Sequence, residues 1–303
     1  MVRPSPFALQ QRAGVGEMDS RLVSEQGRQS DLEEIHPMSR VSRWLGLCAA
    51  LGVFGVSIVR ADTIAISGVP NSSGRSLRAI YKPLVRYLAA RTGLNVRFRE
   101  PTNLFWLGHM LRHHTVSLVF AGPAVVDWAI RYTNYAPVLA GTGSLRLIVV
   151  SQKPGVTLKA LRGEVVCAVA PPNMASLALL ARYNGTVVAP YIVQVRSPAA
   201  AVAGVLSGRC KAAPVPVRFA RAGLVQGALH RVVGLGSFPA MAFIAGGPGA
   251  AKIESALRSS AALPALEPLA RTYRIPGWAV PKPGTYRGLS SWLAGFPGFA
   301  RAK

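Results

Sequence analysis

The sequence predicts an α/β protein whose two units enclose a cleft. Half of its 303 residues are apolar, which suffices for a sizeable hydrophobic core. Short apolar strands alternate with amphipathic helices from residue 63 onward, an order typical of parallel sheets covered by helices. A late apolar segment at residues 239–246 favours a return of the chain from the second unit to the first.

The first unit is predicted to hold three strands and three helices. Apolar residues from Leu77 to Leu88 recur at helical spacing, and Gly93 ends the pattern. Pro83 lies inside this stripe and predicts either a kink or a helix that starts near Pro83. The predicted strands are 63–69, 94–99 and 116–121, and the other predicted helices are 102–114 and 124–132.

The second unit repeats the alternation of strands and helices. The predicted strands are 144–152, 164–170, 187–195, 212–217 and 231–236, and the predicted helices are 173–183 and 198–208. A strand at 239–246, two helical stretches and a closing helix over 284–293 complete the chain.

An export signal is predicted at residues 38–61. Arg40 and Arg43 precede a run of sixteen uncharged, mostly apolar residues that ends at Val59, and Ala61 completes a small-x-small cleavage site. Because a membrane span needs about 20 apolar residues, cleavage after Ala61 is favoured over an uncleaved anchor. Residues 1–37 are polar and rich in acids, and we expect them to be an upstream segment without stable structure.

The charge of the chain predicts an anionic partner. The net charge is +23, and the residues from Asp62 onward include 28 Lys and Arg against 6 Asp and Glu. Such a field attracts small oxyanions, anionic lipid or nucleic acid. Since the chain is predicted to be exported to the periplasm, we expect no nucleic-acid partner. In that oxidising compartment Cys167 and Cys210 could pair or remain buried free thiols.

Several segments resemble the periplasmic substrate-binding proteins of phosphate, phosphite and phosphonate ABC transporters. The resemblance covers about residues 62–295, and "SGVP", "YKPLVRYLAARTG", "SLVFAGPAVVDWA", "LKALRGEVVCAVAPP" and "SPAAAVAGVLSGRCKAAPVPV" carry it. It implies an α/β, two-lobed type II periplasmic binding protein fold with a ligand cleft at the hinge. Lobe 1 would be 62–143 plus 240–303, and lobe 2 would be 144–239.

A ligand site is predicted at four turns where strands end and helices begin. Helix starts expose backbone N–H groups, and several of them together can hold an oxyanion. Taken singly, each turn is an ordinary helix cap. The resemblance adds Phe105 as an aromatic wall, for which core packing is the alternative. The predicted ligand-binding residues are Asn71, Ser72, Ser73, Phe105, Gly122, Pro123, Ala124, Asn173, Met174, Ala175, Ser176 and Ser197.

The sequence departs from the family pattern at this site. Met174 and Ala175 stand where the family has hydroxyl side chains, and Pro198 stands where a histidine is common. The acids that bind an amine in aminophosphonate-binding members have no counterpart on the strand at 212–217.

We therefore expect a non-catalytic, monomeric solute-binding protein without a cofactor or metal. It would capture a small anionic solute for an inner-membrane ABC permease or a sensor. One alternative is an enzyme on the same fold, as in thiamine-precursor synthesis, and another is a scaffold that has lost its ligand. His109 and His113 have metal-binding spacing, but a third ligand is not evident.

Overall fold

The structure is a computed structural model that describes residues 63–68, 76–171, 173–184, 186–294, 296, 298 and 299. The predicted upstream segment, the predicted export signal and the turn at Asn71, Ser72 and Ser73 lie outside the described residues. Within the described part, no helix is both long and apolar enough to cross a membrane.

Strands and helices alternate along most of the described chain. The strands are β1 (Thr63–Gly68), β2 (Asn95–Phe98), β3 (Leu118–Ala121), β4 (Ala136–Gly141), β5 (Ser144–Ser151), β6 (Val165–Val169), β7 (Tyr191–Val195), β8 (Ala213–Pro216), β9 (His230–Pro239), β10 (Ala242–Ala245) and β11 (Trp278–Ala279). The helices are α1 (Leu77–Thr92), α2 (Leu104–Arg112), α3 (Pro123–Tyr132), α4 (Met174–Ala181), α5 (Pro198–Leu206), α6 (Val217–Val225), α7 (Ala250–Arg258) and α8 (Leu263–Tyr273).

The first sheet contains the amino-terminal strands and two strands from the end of the chain. Its order is β2-β1-β3-β10-β4-β11. β2 and β3 pair in parallel with β1, whereas β10 is antiparallel to both β3 and β4. All four residues of β3 are buried, as expected for a strand covered by helices on both faces.

The second sheet repeats this topology. β5 is antiparallel to β8 and β9, and β6 is parallel to β7. A parallel bridge between Val166 and Ala212 joins β6 to the segment before β8, which gives the order β7-β6-β8-β5-β9. Each sheet therefore has three parallel strands and one antiparallel strand that arrives from the other sheet. Beyond that strand lie β4 and β11 in the first sheet and β9 in the second.

Two short crossovers, residues 142–143 and 240–241, connect the sheets and run side by side. The Gly141 N–H donates to the Met241 carbonyl at 3.0 Å. The Tyr286 hydroxyl, buried in the carboxyl-terminal tail, donates to the Ala240 carbonyl at 3.0 Å. Burial raises the pKa of Tyr286 to about 12, so the hydroxyl keeps its proton at neutral pH. The tail thus fixes one crossover.

Several differences from the predicted elements involve proline. β4 was not predicted, because Pro137 interrupts its apolar pattern; a register shift in its pairing with β10 accommodates the missing N–H. The predicted strand at 187–195 begins only at Tyr191, after Pro190. By contrast, α1 begins at Leu77 and continues through Pro83, so the prediction that this helix starts near Pro83 was wrong.

The predicted closing helix is shorter than expected. Residues 284–288 form turns, and only Leu289–Leu293 form a helix, of the 3₁₀ type. α6 was also not predicted, although its bounds matter for the site described below.

Cys167 and Cys210 form a disulfide with Cα atoms 5.6 Å apart, so the free-thiol alternative was wrong. The bond joins β6 to the chain just before β8. α5 packs directly over it: a Cβ atom at Gly204 would lie 2.6 Å from the Cys167 sulfur. A glycine at this position therefore lets the helix approach the disulfide.

Candidate functional site

The turn after β3 leads straight into α3. Gly122 is the residue before the helix, Pro123 is its first residue, and the Val126 N–H donates to the Gly122 carbonyl at 3.0 Å. The N–H groups of Ala124 and Val125 precede this bond and have no acceptor within the helix. Ala124 and Val125 are buried. The turn therefore offers backbone donors in an apolar setting.

The turn after β6 leads into α4, and its polar side chains bind to the protein itself. The Asn173 Oδ1 accepts from the Ala175 N–H at 3.0 Å, which is a helix cap. The Ser176 hydroxyl is fully buried and donates to the Val169 carbonyl. Met174 and Ala175 are buried as well. An anion would therefore meet the backbone N–H groups of the first turn of α4 and the Asn173 amide N–H groups, but not the Ser176 proton.

The turn after β7 is capped in the same way. The Ser197 Oγ accepts from the Ala200 N–H at 3.1 Å, and Pro198 begins α5 without a backbone N–H. Ser197 is half-buried.

The structure brings two of the predicted turns into one apolar cluster. Ala124 and Val125 belong to the same hydrophobic cluster as Met174 and Ala175, although the two pairs follow strands of different sheets. Ser197 and Phe105 are not among the members of this cluster. The ligand role of the helix starts of α3 and α4 stays a prediction.

Phe105 and Trp106 lie in the first turn of α2 and are about half exposed, at 50% and 47%. The core-packing alternative for Phe105 was therefore wrong. Their ring centroids are 6.3 Å apart, and Asn103 caps the helix beneath them by accepting from the Trp106 N–H at 2.9 Å. A ligand role for Phe105 remains a prediction.

His109 and His113 lie together at the end of α2. The rings of His109 and His113 lie side by side, with centroids 4.2 Å apart. Among the described residues, no group of three or more His, Cys, Asp or Glu side chains is placed to hold a metal ion.

Sequence reasoning missed one charged cluster, where α6 follows β8. Arg218 is the second residue of α6, and the Arg274 Nη1 donates to the Arg218 carbonyl at 2.6 Å. Burial lowers the pKa of the Arg218 guanidinium, and the charge of Arg274 lowers that pKa further. Its position in the sequence could have revealed Arg218, because it comes two residues after β8, a parallel strand of the second sheet. By contrast, the basic residues Arg146 and Lys153 of the second unit are exposed.

Comparison with known families identifies the chain. Residues 66–280 match the model of the family described as "ABC transporter, phosphonate, periplasmic substrate-binding protein". The chain belongs to this phosphonate-binding family. The family consists of substrate-binding proteins rather than enzymes, so its members serve an ABC transporter by binding a small solute and delivering it to a permease.

Solved structures show the same fold for this family member. XAC2383 from Xanthomonas citri, bound to ATP, has a TM-score of 0.60 at 14% identity, with 76% of this chain and 96% of that chain covered. PhnD1 from Prochlorococcus marinus, in complex with methylphosphonate, has a TM-score of 0.60 at 13% identity, with 76% and 97% covered. A binding protein of an ABC phosphonate transporter from Pseudomonas aeruginosa has a TM-score of 0.56 at 13% identity, with 74% and 83% covered.

These structures are two-lobed periplasmic binding proteins, and the fold predicted from the sequence is confirmed. A search of curated protein sequences finds no match to this chain. No curated relative therefore supplies ligand-binding residues for this chain, and the candidate site is argued from the geometry above.

Proposed function

We propose that this chain is an exported solute-binding protein that captures a small anion of the phosphonate, phosphite or phosphate type. Residues 62–143 plus 240–303 form one lobe and residues 144–239 form the other. The solute binds where the two lobes meet, the lobes close on it, and an ABC permease receives it. Closure follows because the solute binds the closed state more tightly than the open one.

One observation carries this proposal. The first turns of α3 and α4, which follow strands of different sheets, contribute buried residues to one hydrophobic cluster. Helix starts bind anions through backbone N–H groups and the helix dipole, and these interactions are stronger where water is excluded. Family membership and the methylphosphonate bound to PhnD1 of Prochlorococcus marinus support the same class of solute.

A role as a sensor or as a scaffold without a ligand is the second candidate. It is favoured by the turn after β6, where the Asn173 Oδ1 caps the helix and the Ser176 hydroxyl donates its proton to the protein. The enzyme alternative is set aside because the family is not enzymatic.

Thermal unfolding of the exported form, residues 62–303, tests the proposal. Phosphate, phosphite, methylphosphonate, sulfate and arsenate are added one at a time at low salt, with chloride at equal ionic strength as the control. At one hundred times its dissociation constant, a binding anion should raise the free energy of unfolding by about 2.7 kcal/mol. If no anion raises the free energy of unfolding above its value in chloride, the anion proposal is wrong and the scaffold interpretation is favoured.

A further inference from the structure

Two arginine side chains flank one aromatic ring at the start of α6. The Arg274 guanidinium carbon lies 4.7 Å from the centroid of the Phe219 ring, and that of Arg218 lies 5.7 Å from the same centroid. The Arg274 Nη1 also donates to the Arg218 carbonyl at 2.6 Å, which holds α6 and the end of α8 together. Two positive charges are thus held beside each other by contacts that do not neutralise them.

No ion pair joins Arg218 or Arg274 to an acid among the described residues. The Arg218 Nε is buried and has no hydrogen-bond partner among the described residues. Among the described residues, the acids that form ion pairs are Asp127, Glu164, Glu254 and Glu267, and each of them binds a different basic side chain. A buried, charged donor without an acceptor is unfavourable, and an oxyanion supplies the missing acceptor.

The position of the pair places it at the junction of the two sheets. Arg218 follows β8, which has the same place in the second sheet as β3 in the first, and β3 leads into the predicted turn at Gly122. Arg274 lies between α8 and β11, and β11 pairs with β4 of the first sheet. Ligands of open α/β sheets bind at the carboxyl ends of parallel strands, and Arg218 lies just beyond the carboxyl end of β8.

We propose that Arg218 and Arg274 bind a second anionic group of the solute. This inference rests on the proposed function, in which the first oxyanion is held by the helix starts of α3 and α4. It narrows the substrate class to phosphonates or phosphates that carry a second oxyanion, such as a carboxylate. A solute with an amine in place of that group would meet two guanidinium groups and be repelled.

Isothermal titration calorimetry with three probes tests this assignment on residues 62–303. Phosphonoacetate carries a second anionic group, methylphosphonate carries none, and 2-aminoethylphosphonate carries an amine. Phosphonoacetate should bind most tightly and 2-aminoethylphosphonate most weakly. The variants are Arg218→Gln and Arg274→Asn; asparagine tolerates the left-handed backbone of Arg274, whose φ is 50°.

Each variant should weaken phosphonoacetate binding about tenfold to a hundredfold, as expected when a charge-assisted hydrogen bond is lost. Methylphosphonate binding should change little. Arg221→Gln is the matched control, because Arg221 is exposed on the same helix and its loss changes the net charge equally. It should leave both dissociation constants within about twofold if a local site, rather than the general field, binds the second group.

Three other outcomes would overturn the assignment. Equal binding of methylphosphonate and phosphonoacetate, unchanged in both variants, would refute the arginine site and leave the proposed function intact. Equal weakening by Arg221→Gln would attribute the effect to the general field of the protein. Binding of none of the three probes would contradict the proposed function itself, and the arginine site with it.

Discussion

A single buried carboxylate ties the carboxyl-terminal tail to α3. Asp127 is 2% exposed, and its Oδ2 accepts from the Ser290 N–H at 2.7 Å. Its Oδ1 lies 3.9 Å from the Arg131 Nε. The pair with Arg131 was predictable from the i, i+4 spacing. The bond to Ser290 was not, because the two residues are 163 positions apart and no local pattern links them.

Replacing Asp127 with alanine should lower the free energy of unfolding by about 1–3 kcal/mol, because the Ser290 N–H is left buried without an acceptor. Asp127→Asn should lose less, since the amide oxygen still accepts. Urea unfolding followed by circular dichroism measures both changes.

Glu267→Ala provides the matched control for this prediction. Glu267 forms the same type of i, i+4 pair, with Arg271 at 3.1 Å, but both side chains are exposed. Its loss should change stability by no more than about 0.5 kcal/mol. Equal effects of Asp127→Ala and Glu267→Ala would show that the bond to Ser290 contributes nothing.

The helix caps of the candidate site were predictable, and the arginine pair was not. Asn173 and Ser197 are polar residues immediately before apolar helices, and this local pattern defines a cap. Arg218 and Arg274 look like two of many surface cations, because their contact joins elements 56 positions apart. Sequence alone also gave no sign that the Ser176 hydroxyl donates to the Val169 carbonyl.

At the scale of elements, apolar periodicity predicted most strands and helices correctly. β3, β6, α2 and α5 lie within the predicted ranges, because their apolar residues face a core and their ends carry turn residues. The apolar pattern failed to predict β4, because Pro137 lacks a backbone N–H and fits the strand only through a register shift in the pairing with β10.

The disulfide should stabilise the second sheet by restricting the unfolded chain. It closes a loop between residues 43 positions apart. For a loop of this size, removing the bond should lower the free energy of unfolding by about 2–4 kcal/mol. The double variant Cys167→Ala plus Cys210→Ala, unfolded in urea, measures this difference.

Chemical reduction separates the contribution of the disulfide to the free energy of unfolding from the contribution of side-chain packing at the two cysteines. Dithiothreitol should destabilise the natural chain and leave the double variant unchanged. If the reductant lowers the stability of the natural chain by less than about 0.5 kcal/mol, the bond is not a major constraint.

At the scale of the whole molecule, two copies of one sheet topology are joined by two crossovers. The sequence predicted two α/β units and the return of the chain to the first, whereas the places that β5 and β10 take within the exchanged sheets are a long-range property. This exchange explains why the crossovers at 142–143 and 240–241 run side by side, as a hinge between two lobes requires.

Hydrogen exchange with mass spectrometry of residues 62–303 tests the central claim most directly, because the proposed ligand contacts are backbone N–H groups. The measurement compares the chain alone with the chain saturated by the anion that stabilises it most. Exchange should slow in the peptides that contain the first turns of α3 and α4, residues 123–126 and 174–177. Saturating binding without slower exchange in either peptide would contradict capture of the anion between the two lobes.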